Sequence, residues 1–114
     1  MGLRLLILDL HRREEAPADR DLLLGYLERG VVVRRVRSHT IDPVQPIRGR
    51  VVPGGLLTDG TWLWPAGHAY HVRTHGVTLP AEFVAHVRDR GYAVPPLDAT
   101  ALAEISVEVR RLGL

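Results

Sequence analysis

"LLTDGTWLWPAGHAYHVRTH", residues 56–75, governs how the rest of the chain is read. Two apolar segments, Leu56-Leu57 and Trp62-Leu63-Trp64, flank a polar run that contains Asp59-Gly60. A tight two-residue hairpin favours that pair, because both central positions of its turn want positive φ and Asp and Gly tolerate it. The segment is therefore expected to be a β-hairpin with Asp59 and Gly60 at its tip. Trp62 and Trp64 are two apart, so on a strand both indoles share one face and Leu63 takes the other. Pro65 suits the first turn of a helix and Gly76 its stop, which places a helix over 65–75. The stretch holds both tryptophans of the chain and three of its six histidines, so candidate chemistry gathers here too.

Outward from this hairpin the pattern is that of a small α+β domain. "LRLLILDL" (3–10) is a continuous apolar run ended by charge, which reads as a strand covered on both faces in the middle of a sheet. "HRREEAPADR" is a polar connection. Pro17 and Asp19 start a helix over about 18–29, with Leu23, Tyr26 and Leu27 on one face and Gly30 as the stop. "VVVRRVRSH" (31–39) follows as a β-branched strand. Strand, helix and strand in that order suggest a crossover unit with a parallel pair. "TIDPVQPIRG" (40–49), with two prolines and a final glycine, reads as an exposed loop before a short strand at 50–53. Pro80 opens a further helix that carries Phe83, Val84 and Val87 to Gly91, forming a helical hairpin with the one before. A last helix over 99–112 places Leu102, Ile105, Val109 and Leu112 on one stripe. The expected architecture is one globular domain over 1–114, a mixed sheet of about five strands with helices packed mainly on one face.

Bulk properties restrict the function classes. The chain has 114 residues, 46% hydrophobic and 25% charged, without a run of the ~18 apolar residues that span a bilayer. No membrane association is expected, and the start reads as a strand rather than a signal peptide. Leu6 stands where a myristoylation motif wants Ser or Thr. With no cysteine there is neither a disulfide framework nor thiol chemistry, which fits a cytoplasmic location. All fifteen basic residues are arginine, as expected of a GC-rich bacterial genome, and they lift the pI to 9.7 while the formal charge is only +2.

Several residue sets invite a chemical reading. Asp9 and His11 form Asp-x-His after a strand, as metallophosphoesterases of the calcineurin type begin their metal site. Such a site needs further Asp, Asn and His ligands, and the chain has no asparagine. His68, His71 and His75 are spaced three and four apart on one helical face, where neutral imidazoles can bind zinc, with His86 of the next helix as a fourth ligand. The glutamate of a zinc-protease helix is replaced by Ala69, so no catalytic base accompanies them. Thr58, Asp59 and His68 can be written as a triad, although nearness in sequence is no evidence of geometry. Ser38 and Ser106 lie in no nucleophile turn, and "PGG" lacks the lysine and spacing of a phosphate loop. Arg34, Arg35 and Arg37, with Arg48 and Arg50, put five cations in seventeen residues. They suit an acidic partner or a solvated edge better than nucleic acid, since neither a recognition helix nor an aromatic stacking platform adjoins them.

"LTDGTWLWPAGHAYHVRTHGVTLPAEFVAHVRDRGY" (57–92) resembles small bacterial immunity-type proteins of toxin systems. The likeness rests on a strand Thr-Asp-Gly-x-Trp-x-Trp, a helix, then Leu-Pro-x-x-Phe and another helix. It covers under a third of the chain, and it departs from that pattern at Tyr70-His71, where such proteins place a tyrosine pair. It implies an inhibitor that caps a toxin and brings no catalytic motif.

The reading is thus a non-catalytic protein-binding domain, immunity-like. Trp62, Trp64 and Tyr70 form its aromatic anchor, and Arg34, Arg35 and Arg37 meet the charges of another protein, a toxin or a second copy of the chain. Burial of the two indoles under the helices is the competing expectation for Trp62 and Trp64. No cofactor is expected in this reading. The alternatives are a zinc-binding or histidine-assisted enzyme at His68, His71 and His75, and arginine-mediated nucleic-acid binding.

Overall fold

The computed structural model describes residues 2–114 and has an α+β architecture. In chain order the elements are β1 (Arg4–Leu5), α1 (Arg20–Glu28), β2 (Val31–Arg34), β3 (His39–Ile41), β4 (Arg50–Pro53), β5 (Leu56–Thr58), β6 (Trp62–Pro65), α2 (Gly67–His75), α3 (Ala81–Asp89) and α4 (Ala99–Arg111). A short 3-10 turn, Pro46–Arg48, joins β3 to β4. The main sheet has four strands in the order β1-β6-β5-β2, and β3 and β4 form a separate antiparallel ribbon.

The hairpin of β5 and β6 is present, but one residue out of the expected register. Leu57 pairs with Trp64 and Thr58 with Leu63, so the turn centres on Gly60-Thr61 rather than Asp59-Gly60. Gly60 alone of the two central residues has positive φ, 93°. Asp59 instead flanks the turn and accepts from the Thr61 and Trp62 amides at 2.9 and 2.7 Å, an Asx-type arrangement that fixes the shift. Pro65 ends β6 opposite Leu56 rather than opening α2, while Gly76, in the left-handed conformation, closes α2 as expected.

Alternation along β6 divides the molecule into two cores. Trp62 and Trp64 face α1, α2 and α3 in a cluster with Leu6, Tyr26, Leu27, Val72, Phe83 and Val87. Leu63 faces the other way, against Ile105 and Val109 of α4 and Leu56 of β5. Three helices therefore cover one face and one helix the other. The Trp64 indole donates to the Leu27 carbonyl at 3.1 Å, which satisfies its only polar atom inside the core. Gly30 lets α1 turn into β2 beneath that ring, since a Cβ there would stand 2.6 Å from Trp64 Cζ2. Asp98 caps α4 by accepting from the Ala101 amide at 2.8 Å.

The apolar run 3–10 is not a central strand. Only Arg4–Leu5 enters the ladder, parallel to β6 and at the sheet edge. Leu6 and Leu8 turn toward the three-helix side and Leu3 reaches the α4 cluster, while Leu5 and Ile7 lie beyond the reach of α4 and are exposed. β1 and β2 run in the same direction, but β6 and β5 lie between them, so the crossover pair is split. The arginine-rich strand stops at Arg34, and the chain re-forms a strand only at β3, where Thr40 and Ile41 pair with β4 instead of looping. Leu112, expected on the buried stripe of α4, lies past its end and is half exposed.

Candidate functional site

The tryptophans are core residues. Trp62 is 5% and Trp64 0% exposed, packed edge-on against Phe83 at ring distances of 5.5 and 5.6 Å. They offer no surface anchor for a partner, because the α1–α3 face of the sheet is sealed by the apolar sides of three helices. Arg4 covers what remains of Trp62, with its guanidinium carbon 4.2 Å from the ring centroid. Arg34, Arg35 and Arg37 are exposed, as expected of a solvent-facing edge.

The histidines separate. His68 is placed against β1, where its Nε2 donates to the Leu6 carbonyl at 2.7 Å. Burial holds its pKa down at about 4, with the Leu6 carbonyl acting in the opposite direction and failing to offset it. His86 is directed to Asp59 and is not a companion of the α2 histidines. Only His71 and His75 of the expected face converge, and the residue that joins them is Asp42. A ligand-type atom of each of these three lies within 4.8 Å of the other two.

Asp42 comes from the stretch expected to be an exposed loop, yet it is fully buried. The reason is local. After β3 the chain turns through Pro43, and Asp42 Oδ1 accepts from the Val44 and Gln45 amides at 2.8 and 3.0 Å. The other oxygen, Oδ2, accepts from the Tyr70 hydroxyl at 2.7 Å and from His75 Nε2 at 2.6 Å. Arg48 Nε donates to the Tyr70 oxygen at 3.0 Å and stands 4.0 Å from Asp42 Oδ2. Burial alone would raise the Asp42 pKa; the bonds from His75, Tyr70 and the two amides outweigh it and hold the carboxyl well below its usual range. Tyr70 is thus a side-chain link in this cluster rather than half of an aromatic patch with the tryptophans.

His71 is the unsatisfied member. It is 6% exposed, its ring stacks on His75 at 6.1 Å, and its wholly buried Nδ1 has no hydrogen-bond partner. Burial lowers its pKa, Asp42 acts against that and His75 reinforces it, so the imidazole is neutral at pH 7. A buried polar nitrogen without a partner typically costs about 1–3 kcal/mol. His71 also lines a hollow of about 380 Å³, together with Thr40, Gly54, Gly55 and His68 among others.

A second aspartate repeats the pattern. Asp59 Oδ1 accepts from the amides two and three residues on, and Oδ2 accepts from Tyr26 at 2.5 Å and His86 Nε2 at 2.7 Å. Burial works to raise its pKa, and the Trp62 amide, Tyr26 and Thr61 lead the bonds that lower it below the usual carboxylate range.

These contacts dissolve the other sequence sets. Thr58 donates to the Trp62 carbonyl at 2.6 Å, Asp59 holds Tyr26 and His86, and His68 holds Leu6, so the three make no triad. Asp9 accepts from the His11 amide at 3.0 Å in an exposed turn, and the pair belongs to no metal-type cluster among the described residues. Sequence spacing exposed His71 and His75; Asp42 was hidden, because nothing local marks an Asp-Pro turn as one that another segment will bury.

Compared with protein families, characterised proteins and solved structures, the chain matches no family model, no characterised protein and no solved structure.

Proposed function

We propose that the protein is a non-catalytic binding domain whose partner is an acidic protein surface, and that the β3–β4 ribbon with the segment before it is the contact face. The observation that carries this reading is charge segregation. From residue 29 to 58 the only acid is Asp42, buried and held by its own hydrogen bonds, while Arg34, Arg35, Arg37, Arg48 and Arg50 are exposed. Elsewhere several exposed arginines meet surface carboxylates, as in Arg4 with Glu82, Arg73 with Glu28 and Arg88 with Asp19, whereas among the ribbon arginines only Arg48 stands near one, the buried Asp42. Among the ribbon arginines stand apolar side chains open to water: Val36 at 40%, Ile41 at 49% and Ile47 at 93% exposure. An apolar centre rimmed by charge of one sign suits a protein partner of opposite sign, which it also steers into contact.

Nucleic acid is the weaker reading, since the exposed apolar groups here are aliphatic and give bases nothing flat to stack on. An immunity-like role, in which the domain caps a bacterial toxin in the cytoplasm, is one form of the proposal. The resemblance of 57–92 supports it, and the lack of cysteine fits the compartment. Among the described residues no helix is long and apolar enough to cross a membrane.

The test is affinity capture from the host cell extract, followed by reconstitution with the purified partner. Binding is expected to fall at least tenfold in Ile47→Asp and in Arg35→Glu/Arg37→Glu, and to weaken with salt. Retention that both variants leave unchanged would overturn the ribbon as the face. Concentration-dependent self-association lost in Ile47→Asp would identify the partner as a second copy.

A further inference from the structure

We infer that Asp42, His71 and His75 form a binding site for a divalent transition-metal ion of the zinc type. The inference is independent of the ribbon as an interface. Two histidines four apart on α2 present imidazoles from successive turns of one face, and the Asp42 carboxylate is brought to them by the turn after β3. Two imidazoles and a carboxylate, with a position left for water, are a donor set that zinc accepts, at bond lengths near 2.0–2.2 Å. A separation of no more than 4.8 Å between donor atoms needs only small side-chain rotations to reach tetrahedral spacing.

The second observation is the unpartnered nitrogen of His71. The ring, more than nine-tenths buried, carries a nitrogen that no group among the described residues satisfies. A metal ion at the cluster supplies the missing partner. Around it the remaining groups already hold the carboxylate: Val44 and Gln45 amides fix Oδ1, and the Tyr70 hydroxyl orients Oδ2. The ion takes the place of the hydrogen that now bridges His75 Nε2 and Asp42 Oδ2, and that proton is released to solvent. Arg48 is the opposing charge, 4.0 Å from Asp42, with a side chain 44% exposed and thus able to turn into water. His68 and His86 are outside the site, committed to Leu6 and Asp59. A bound ion joins the β3–β4 connection to α2, and so would fix the turn that carries Ile47 and Arg48.

Chelator-treated protein titrated with zinc chloride is the test, read by calorimetry, by thermal melting and by long-range proton–nitrogen spectra of the histidine rings. One zinc per chain is expected, with a raised melting point and ring-nitrogen shifts at His71 and His75 but not at His68 or His86. His71→Leu and His75→Ala should each weaken binding at least tenfold, and His68→Gln should leave it unchanged. Arg48→Gln should tighten it a few-fold by removing a repelling charge. Should His71→Leu fail to fold, the ring spectra of the wild-type chain decide alone. No saturable binding, or shifts confined to the exposed His11 and His39, would overturn the site.

Discussion

Asp42 and Asp59 are built alike and behave as opposites. Each uses one carboxylate oxygen to hold two backbone amides of its own turn and the other to hold one tyrosine and one histidine. Around Asp59 every donor is matched: Tyr26, the hairpin amides and His86 are all partnered, and Tyr26 and Trp62 belong to the aromatic core. Around Asp42 the match is incomplete, because a second histidine lies beside the first with a buried nitrogen unpaired. A closed cluster of this kind fixes a fold, whereas an open one has room in its bonding for a further ligand. The same four-donor motif therefore serves structure in one place and offers chemistry in the other.

Removing each carboxylate is the most severe challenge to this contrast. Asp59→Ala is expected to cost about 3–5 kcal/mol in urea unfolding, since it strands the Tyr26 hydroxyl in the core and leaves His86 and two turn amides without their acceptor. Asp42→Ala should cost less, about 2–3 kcal/mol, because Tyr70, unlike the fully buried Tyr26, is partly accessible and can turn to water. Equal losses would show that the two clusters are equally enclosed.

Acidification separates the histidines from the carboxylates. His68 has its pKa lowered from 6.5 to about 4 in the folded protein. The unfolded chain therefore binds a proton that the folded one refuses, and stability present above pH 6.5 is lost as the pH falls toward 4, on the order of 3 kcal/mol. His71, shifted the same way, adds to that slope. Asp42 and Asp59, both lowered from 3.8, keep their contributions through this range and lose them only at lower pH. Unfolding free energies measured from pH 8 to 3 should fall first through the histidine window, and His68→Gln should flatten that part. A flat profile in the wild type between pH 6.5 and 4 would contradict the burial of His68.

Parallel histidine substitutions probe the two clusters at smaller magnitude. His86→Leu deprives Asp59 of a donor and should lose about 1–2 kcal/mol. His71→Leu removes an unpaired nitrogen, so the metal-free protein should be unchanged or up to about 1 kcal/mol more stable. A loss in both would mean that His71 is satisfied in solution. Smallest of all, Ile47→Asp should leave melting within about 0.5 kcal/mol of wild type, as its side chain touches little in the folded chain.

Local signals along the chain were sufficient for much of this architecture. Gly76 and Gly91 end helices where the pattern placed their ends, Pro80 begins one, the last helix starts at Ala99 as expected, and alternation alone put Trp62 and Trp64 opposite Leu63. Those features depend on neighbours within a few residues, whose φ preferences and side-chain period are properties of the sequence itself. The register of the hairpin escaped because Asp59 prefers to bond the amides ahead of it, which moves the turn by one residue. The edge position of β1 escaped because a run of leucines has no memory of which of its faces another helix will reach.

The α+β class, most element ends and the shared face of the two tryptophans were thus written in the chain. That both indoles are core, that His68 and His86 leave the histidine set, and that Asp42 enters it came from the packing of the folded protein. The cause is distance along the chain: Asp42 and His75 are 33 residues apart, and they meet only because the β3–β4 ribbon and α2 pack together and bury Asp42 against α2.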